Sequence, residues 1–74
     1  MSEPLYEQIA ATIKARVAAG VLKPGEQLPT TREMAAEFEV GETTMKMALR
    51  RLRWDGVVVG QPGKAIYIAR SISR

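Results

Sequence analysis

Seventy-four residues, a net charge of +3, no cysteine and no histidine describe one small domain. The missing cysteine removes disulfides and thiolate metal sites, and the missing histidine removes the commonest general base, the imidazole ligand and the Ser/His and Cys/His nucleophile pairs. Neither an enzyme nor a metal or other cofactor is expected.

A chain this short buries only roughly 60% of the surface its unfolded form exposes, so it needs efficient packing or a partner. No apolar run approaches the ~20 residues of a membrane span. The opening "MSEPLYEQ" is acidic and polar, unlike a secretory signal. A soluble, cytoplasmic module is expected. Its charge is uneven: residues 1–43 hold four basic against seven acidic side chains, whereas residues 44–74 hold seven basic against Asp55 alone. A basic half suits a polyanionic partner or a solubilising surface.

Along the chain, Leu5, Ile9, Ile13, Arg16 and Val17 form a helical stripe, with Tyr6 and Ala10 beside it. Pro4 suits a first helical turn and Gly20 a C-terminal stop, which predicts a helix from about Leu5 to Ala19. "LKPGEQLPT" then reads as a loop with a Pro24-Gly25 turn and a very short strand at Gln27-Leu28. Thr30 and Glu33 make a T-x-x-E capping box, so a second helix begins at about Thr31 and carries Met34, Ala35 and Phe38 inward. It ends near "EVG", where Gly41 would permit a tight turn. Two helices joined this closely match a helix-turn-helix.

A third helix starts after Gly41 and stops at Gly56. At about 100° per residue, Met45, Ala48, Leu49 and Leu52 share one face. Thr43, Met47 and Arg50 lie opposite, flanked by Lys46 and Arg53 on one side and by Arg51 and Trp54 on the other. The β-branched and aromatic runs "VVVG" and "AIYIA", bridged by "QPGK", predict a hairpin. The expected architecture is mainly α with a small β-hairpin (α+β). It is a winged helix-turn-helix of three helices and a two- to three-stranded wing sheet over residues 4–69, with flexible termini at 1–3 and 70–74. The expected core is Leu5, Ile9, Ile13, Val17, Leu28, Met34, Phe38, Val40, Met45, Leu49, Leu52, Val58 and Tyr67.

The stretch "PLYEQIAATIKARVAAGVLKPGEQLPTTREMAAEFEVGETTMKMALRRLRWDGVV" resembles the DNA-binding domain of the GntR family of bacterial transcription regulators. The opening P-L-Y-x-Q-I, the G-x-L-x-P-G-x-x-L-P-T-x-R-E-M-A core, V-x-x-T-T-M-K-x-A-L and the L-x-x-D-G-V-V helix end carry the likeness, which covers about residues 4–69. The resemblance implies a winged helix that binds operator DNA as a dimer, with the third helix in the major groove and the wing in the adjacent minor groove. It implicates Arg32, Thr43, Thr44, Lys46 and, at the wing tip, Gly63. Three departures stand out. Gly41-Glu42 replaces the family's usual Ser-Arg, and the wing keeps only Gln61, Gly63 and Lys64 of an Arg- and Gln-rich pattern. The sequence also ends where most members continue into a ligand-binding or oligomerisation domain, so a stand-alone regulator or an excised domain is expected.

The residues assign roles of their own. Arg32, in the first turn of the second helix, suits a phosphate clamp. Lys46 and Arg50, one turn apart, suit base edges or flanking phosphates, and Thr43 and Thr44 suit phosphate or a thymine methyl. Met47 projects away from the apolar stripe, toward thymine methyls or a protein partner. Gln61 and Lys64 flank the wing turn, within reach of minor groove and backbone. Trp54 is expected to pack against the hairpin or a dimer partner rather than DNA. Glu42 has three readings: stabilising the helix N-terminus, accepting a bond from cytosine N4, or weakening DNA binding.

The function expected is therefore a sequence-specific DNA-binding regulator, a repressor, acting as a homodimer on operator DNA with no small-molecule effector site of its own. The alternatives are an architectural or excisionase-like DNA-binding protein, and a protein-interaction winged helix.

Overall fold

The structure is a computed structural model that describes residues 4–60 and 64–70. In chain order it holds α1 (Leu5–Ala18), α2 (Thr31–Phe38), α3 (Glu42–Trp54), β1 (Val58–Gly60) and β2 (Ile66–Ile68). This is the expected winged helix-turn-helix. The expectations for Gln61, Gly63 and the flexible ends at 1–3 and 71–74 lie outside the described residues.

The core forms where one face of each helix meets one face of the hairpin. Ile9 and Ile13 of α1, Met34 of α2, and Met45, Leu49 and Leu52 of α3 close on Val58, Ile66 and Ile68, with Leu28 of the connecting loop beneath them. Ala10, Ala35 and Ala48 are buried as well. Their small side chains let the helix backbones approach closely. Val17, Phe38 and Val40 are half-buried and pack against this cluster.

Two expected core residues lie outside it. Leu5 is 51% exposed and Tyr67 40% exposed. Leu5 opens α1, ahead of the first buried position at Ile9. Tyr67 stands on the outer face because strand side chains alternate: Ile66 and Ile68 take the inner face, so the residue between them cannot. The register pairs Tyr67 with Val59 on that outer surface and Val58 with Ile68 on the inner one.

β1 and β2 are antiparallel. The expected short strand at Gln27-Leu28 is a single bridge, Gln27 to Tyr67, on the other edge of β2. Leu28 N–H donates to the Ile66 carbonyl and Ile68 N–H to the Glu26 carbonyl, each at 2.8 Å. The loop between α1 and α2 is thereby tied to the wing. Gly60 turns the chain into the wing with φ of 109°, where a Cβ would run into the Ala65 carbonyl oxygen.

All three helices stop by the same device, a residue in left-handed conformation that folds two N–H groups back onto the last turn. At the end of α3, Gly56 N–H donates to the Arg53 carbonyl and Val57 N–H to the Leu52 carbonyl. Gly20 plays this part for α1. For α2 the residue is Glu39, at φ 58° and ψ 46°, with Val40 N–H donating to the Ala35 carbonyl. The turn was expected at Gly41, which instead has φ of −72° and is the N-cap of α3. At its start α2 carries the full capping box: Glu33 N–H donates to Thr30 Oγ1 at 3.1 Å, and Thr30 N–H donates to the Glu33 carboxylate at 3.0 Å.

Ion pairs lash the helices at the rim. Arg16 donates to Glu37 at 3.0 Å and lies over the Phe38 ring at 5.2 Å, joining α1 to α2. Asp55, just past α3, accepts from Lys14 of α1 at 2.7 Å and from Arg51 at 3.2 Å. The Lys14 hydrogen bond, aided by Arg51 and opposed by partial burial, holds the Asp55 carboxyl below its ordinary value of 3.8.

Two measurements test these assignments. A left-handed non-glycine residue costs roughly 1–2 kcal/mol and glycine relieves it at some entropic cost, so Glu39→Gly should raise the urea midpoint by up to about 1 kcal/mol of stability. A depressed folded pKa contributes stability that is present above the unfolded value and lost as pH falls through the folded one. Asp55→Asn should therefore be less stable than the parent at about pH 7, with the gap closing in urea titrations stepped down toward about pH 2.

Candidate nucleic-acid interface

The hydrophobic stripe of α3 decides what its other side presents. With Met45, Ala48, Leu49 and Leu52 buried, the helix cannot rotate, and Thr43, Lys46, Met47, Arg50 and Arg53 are exposed. Thr44 is half-buried at the edge. Of this exposed set, three of the five side chains are cationic. An α-helix about 10–12 Å across matches a major groove about 12 Å wide.

Beside the N-terminal half of α3 lies an open cleft of about 420 Å³ lined by Arg32, Glu42, Lys46 and Lys64, together with the Gln27–Thr31 segment and Ala65. The fold thus gathers four of the sequence-predicted residues from three elements: α2, α3 and the wing root. Arg32 Nε stands 3.9 Å from the Glu42 carboxylate, and both side chains are exposed, at 88% and 53%. Glu42 makes no side-chain hydrogen bond that caps α3, although it occupies the first helical turn. A charge there still favours the helix dipole.

Met47 and Arg50 belong to a second, shallower depression, shared with Tyr6, Arg51 and Trp54. Trp54 is 85% exposed, so of its two expected packing partners the hairpin is not one, which leaves a dimer partner. It lies two turns beyond Met47 on the outward side of α3, whereas the hairpin meets the inward side. Gln61 and Gly63, the remaining predicted contacts, lie outside the described residues.

Sequence reasoning missed the part played by the "LPTT" segment. Leu28 is core, while Pro29, Thr30 and Thr31 line the cleft beside Arg32. Thr31 is buried, and its hydroxyl is the buried side-chain polar atom that lacks a hydrogen-bond partner among the described residues. The capping box placed Thr30 and Glu33 correctly, but nothing in their spacing says that this turn faces α3.

The model of the bacterial regulatory proteins of the gntR family matches residues 5–68, most of the chain. The chain belongs to the GntR family. A GntR regulator of Escherichia coli (strain K12), the mannosyl-D-glycerate transport/metabolism system repressor MngR, is 39% identical over 66 residues, covering 89% of this chain and 28% of its own length. Among solved structures, YtrA from Sulfolobus acidocaldarius, a GntR-family transcription factor, superposes with a TM-score of 0.89 at 33% identity. That match covers 97% of this chain and 76% of the other. The DNA-binding domain of AraR, solved in complex with operator ORX1, superposes with a TM-score of 0.84 at 25% identity over 92% of this chain and 82% of the other. The chain spans between 27% and 54% of the length of three curated regulators that it matches. Among the described residues no helix is long and apolar enough to cross a membrane.

Trp54, the single tryptophan, reports directly on this surface. Its emission should resemble that of free tryptophan and be quenched readily by iodide in the folded protein. A blue-shifted, protected emission would mean that the side chain is packed rather than exposed.

Proposed function

We propose that this GntR-family chain is the DNA-binding unit of a transcriptional repressor, cytoplasmic and without catalytic activity, that reads operator DNA with α3 and the wing. The observation that carries this reading is the exposed cationic side of α3, extended by Arg32 and Lys64 across the adjoining cleft. A surface of this kind neutralises phosphates at the groove edges while short and branched side chains reach the base edges.

Glu42 apart, the predicted residues take these places in that scheme. Arg32 clamps a backbone phosphate, and Lys46 and Arg50 lie along the groove. Thr43 and Met47 meet thymine methyls, and Thr44 bonds phosphate from the half-buried edge. Gln61, Gly63 and Lys64 form the wing contact. Residues 4–69 are the functional unit, and two copies bind the halves of a pseudo-palindromic operator. The operator complex of the AraR domain, with its similar fold, supports double-stranded DNA as the partner.

The test is selection of bound sequences from random DNA, followed by salt titration on the enriched site. A motif with two related half-sites is expected, and log K should fall linearly with log salt. Lys46→Ala should weaken binding and reduce that slope by about 1, because one fewer phosphate counterion is released. Binding that is flat between low and moderate salt would overturn the reading. Recovery of no motif at all would move the assignment to a protein-binding winged helix, for which the exposed Met47 and Trp54 provide the contact surface.

A further inference from the structure

Glu42 is the one acid in α3, and its charge favours the helix dipole only modestly. It forms no capping hydrogen bond. Its carboxylate reaches instead across the helix-turn-helix corner to Arg32 of α2, 3.9 Å away. With both side chains exposed, such a pair contributes little to the fold. The pair sits at the start of α3, with Lys46 one turn further on and Lys64 at the wing root lining the same cleft.

The Arg32 guanidinium stands beside the carboxylate, and Lys46 and Lys64 line the same cleft, so the cleft keeps a positive balance of charge. A lone carboxylate would be repelled by the phosphates. One compensated in this way can be carried into a groove, where it acts only as an acceptor. The donors that it can find on base edges in the major groove are the amino groups of cytosine and adenine. Guanine O6 and N7 and thymine O4 are acceptors and repel it.

We propose that Glu42 is a specificity-determining residue that selects an amino-bearing base, cytosine first, at one position of each half-site, with Arg32 as the positioning residue that neutralises and holds it. This rests on the DNA-binding reading above. The absence of an arginine at this position is then a change of base preference and not a loss of function.

The experiment compares the parent with Glu42→Ala, Glu42→Gln and Arg32→Ala. Each protein is used in selection from random DNA and in titrations against the parent's best site and the same site with that one column changed. The parent should prefer cytosine at that column by about 5- to 140-fold, the range of one good base contact. Glu42→Ala should bind the cytosine site less tightly and the changed site more tightly than the parent. Glu42→Gln should move the preference toward adenine, the base that an amide pairs with bidentately. Arg32→Ala should narrow the cytosine preference as well as weaken binding overall.

A purely electrostatic or structural Glu42 would move both sites in the same direction, and that result overturns the proposal. So does a parent motif whose columns are all unchanged in Glu42→Ala. An unaltered cytosine preference in Arg32→Ala overturns the counter-ion role. A parent that enriches no motif overturns the DNA-binding reading itself, which separates the two failures. Urea midpoints should fall only slightly in the Glu42 variants, because the exposed side chain carries no cap and contributes only through the helix dipole.

Discussion

The burial of Met45, Ala48, Leu49 and Leu52 is the constraint on which the remaining structure depends. These four side chains pin α3 against α1, α2 and the hairpin, and they leave it no freedom to turn about its axis. A rotation by one residue, about 100°, would bring cationic side chains into the core at a cost that no 74-residue domain could meet. The outward set of Thr43, Lys46, Met47, Arg50 and Arg53 is therefore a consequence of core packing. The surface that faces a partner and the stripe that holds the fold are two readings of one helix.

With no cysteine, the chain reaches this arrangement without disulfides. It relies on short connections with well-defined ends: left-handed residues close each helix, the capping box opens α2, and backbone hydrogen bonds tie the segment before α2 to β2. These devices satisfy polar groups that would otherwise be left unpaired at helix ends. They also set the angle between α2 and α3, and so the distance between Arg32 and Glu42. Strain is accepted at Glu39, in the corner that orients these two elements.

The electrostatic design is asymmetric. The pairs Lys14–Asp55 and Arg16–Glu37 consume charge on the α1 side, where it locks helices together. Lys46, Arg50 and Lys64 face outward from the other elements. Between these regimes lies the Arg32–Glu42 pair, too exposed to matter much to folding and placed at the entry to α3. Membership of the GntR family gives the outward charges a natural partner in DNA.

The sequence alone determined the element order, the helix boundaries to within a residue or so, the capping box and the inward stripe of α3, because each follows from periodicity or from chemistry over three or four adjacent residues. It also identified the side chains that α3 exposes. Tertiary structure decided the rest. Tyr67 and Ile66/Ile68 obey the same alternation, and only packing against the helices chose which set faces inward. Trp54 was left exposed because the hairpin lies on the other side of α3, a relation that no local pattern encodes. Glu39 took the left-handed turn although glycine stood two residues away, since the corner had to close there for Val40 to reach the core. The meeting of Arg32, Glu42, Lys46 and Lys64 joins residues far apart in sequence, and it exists only because three elements converge on one cleft.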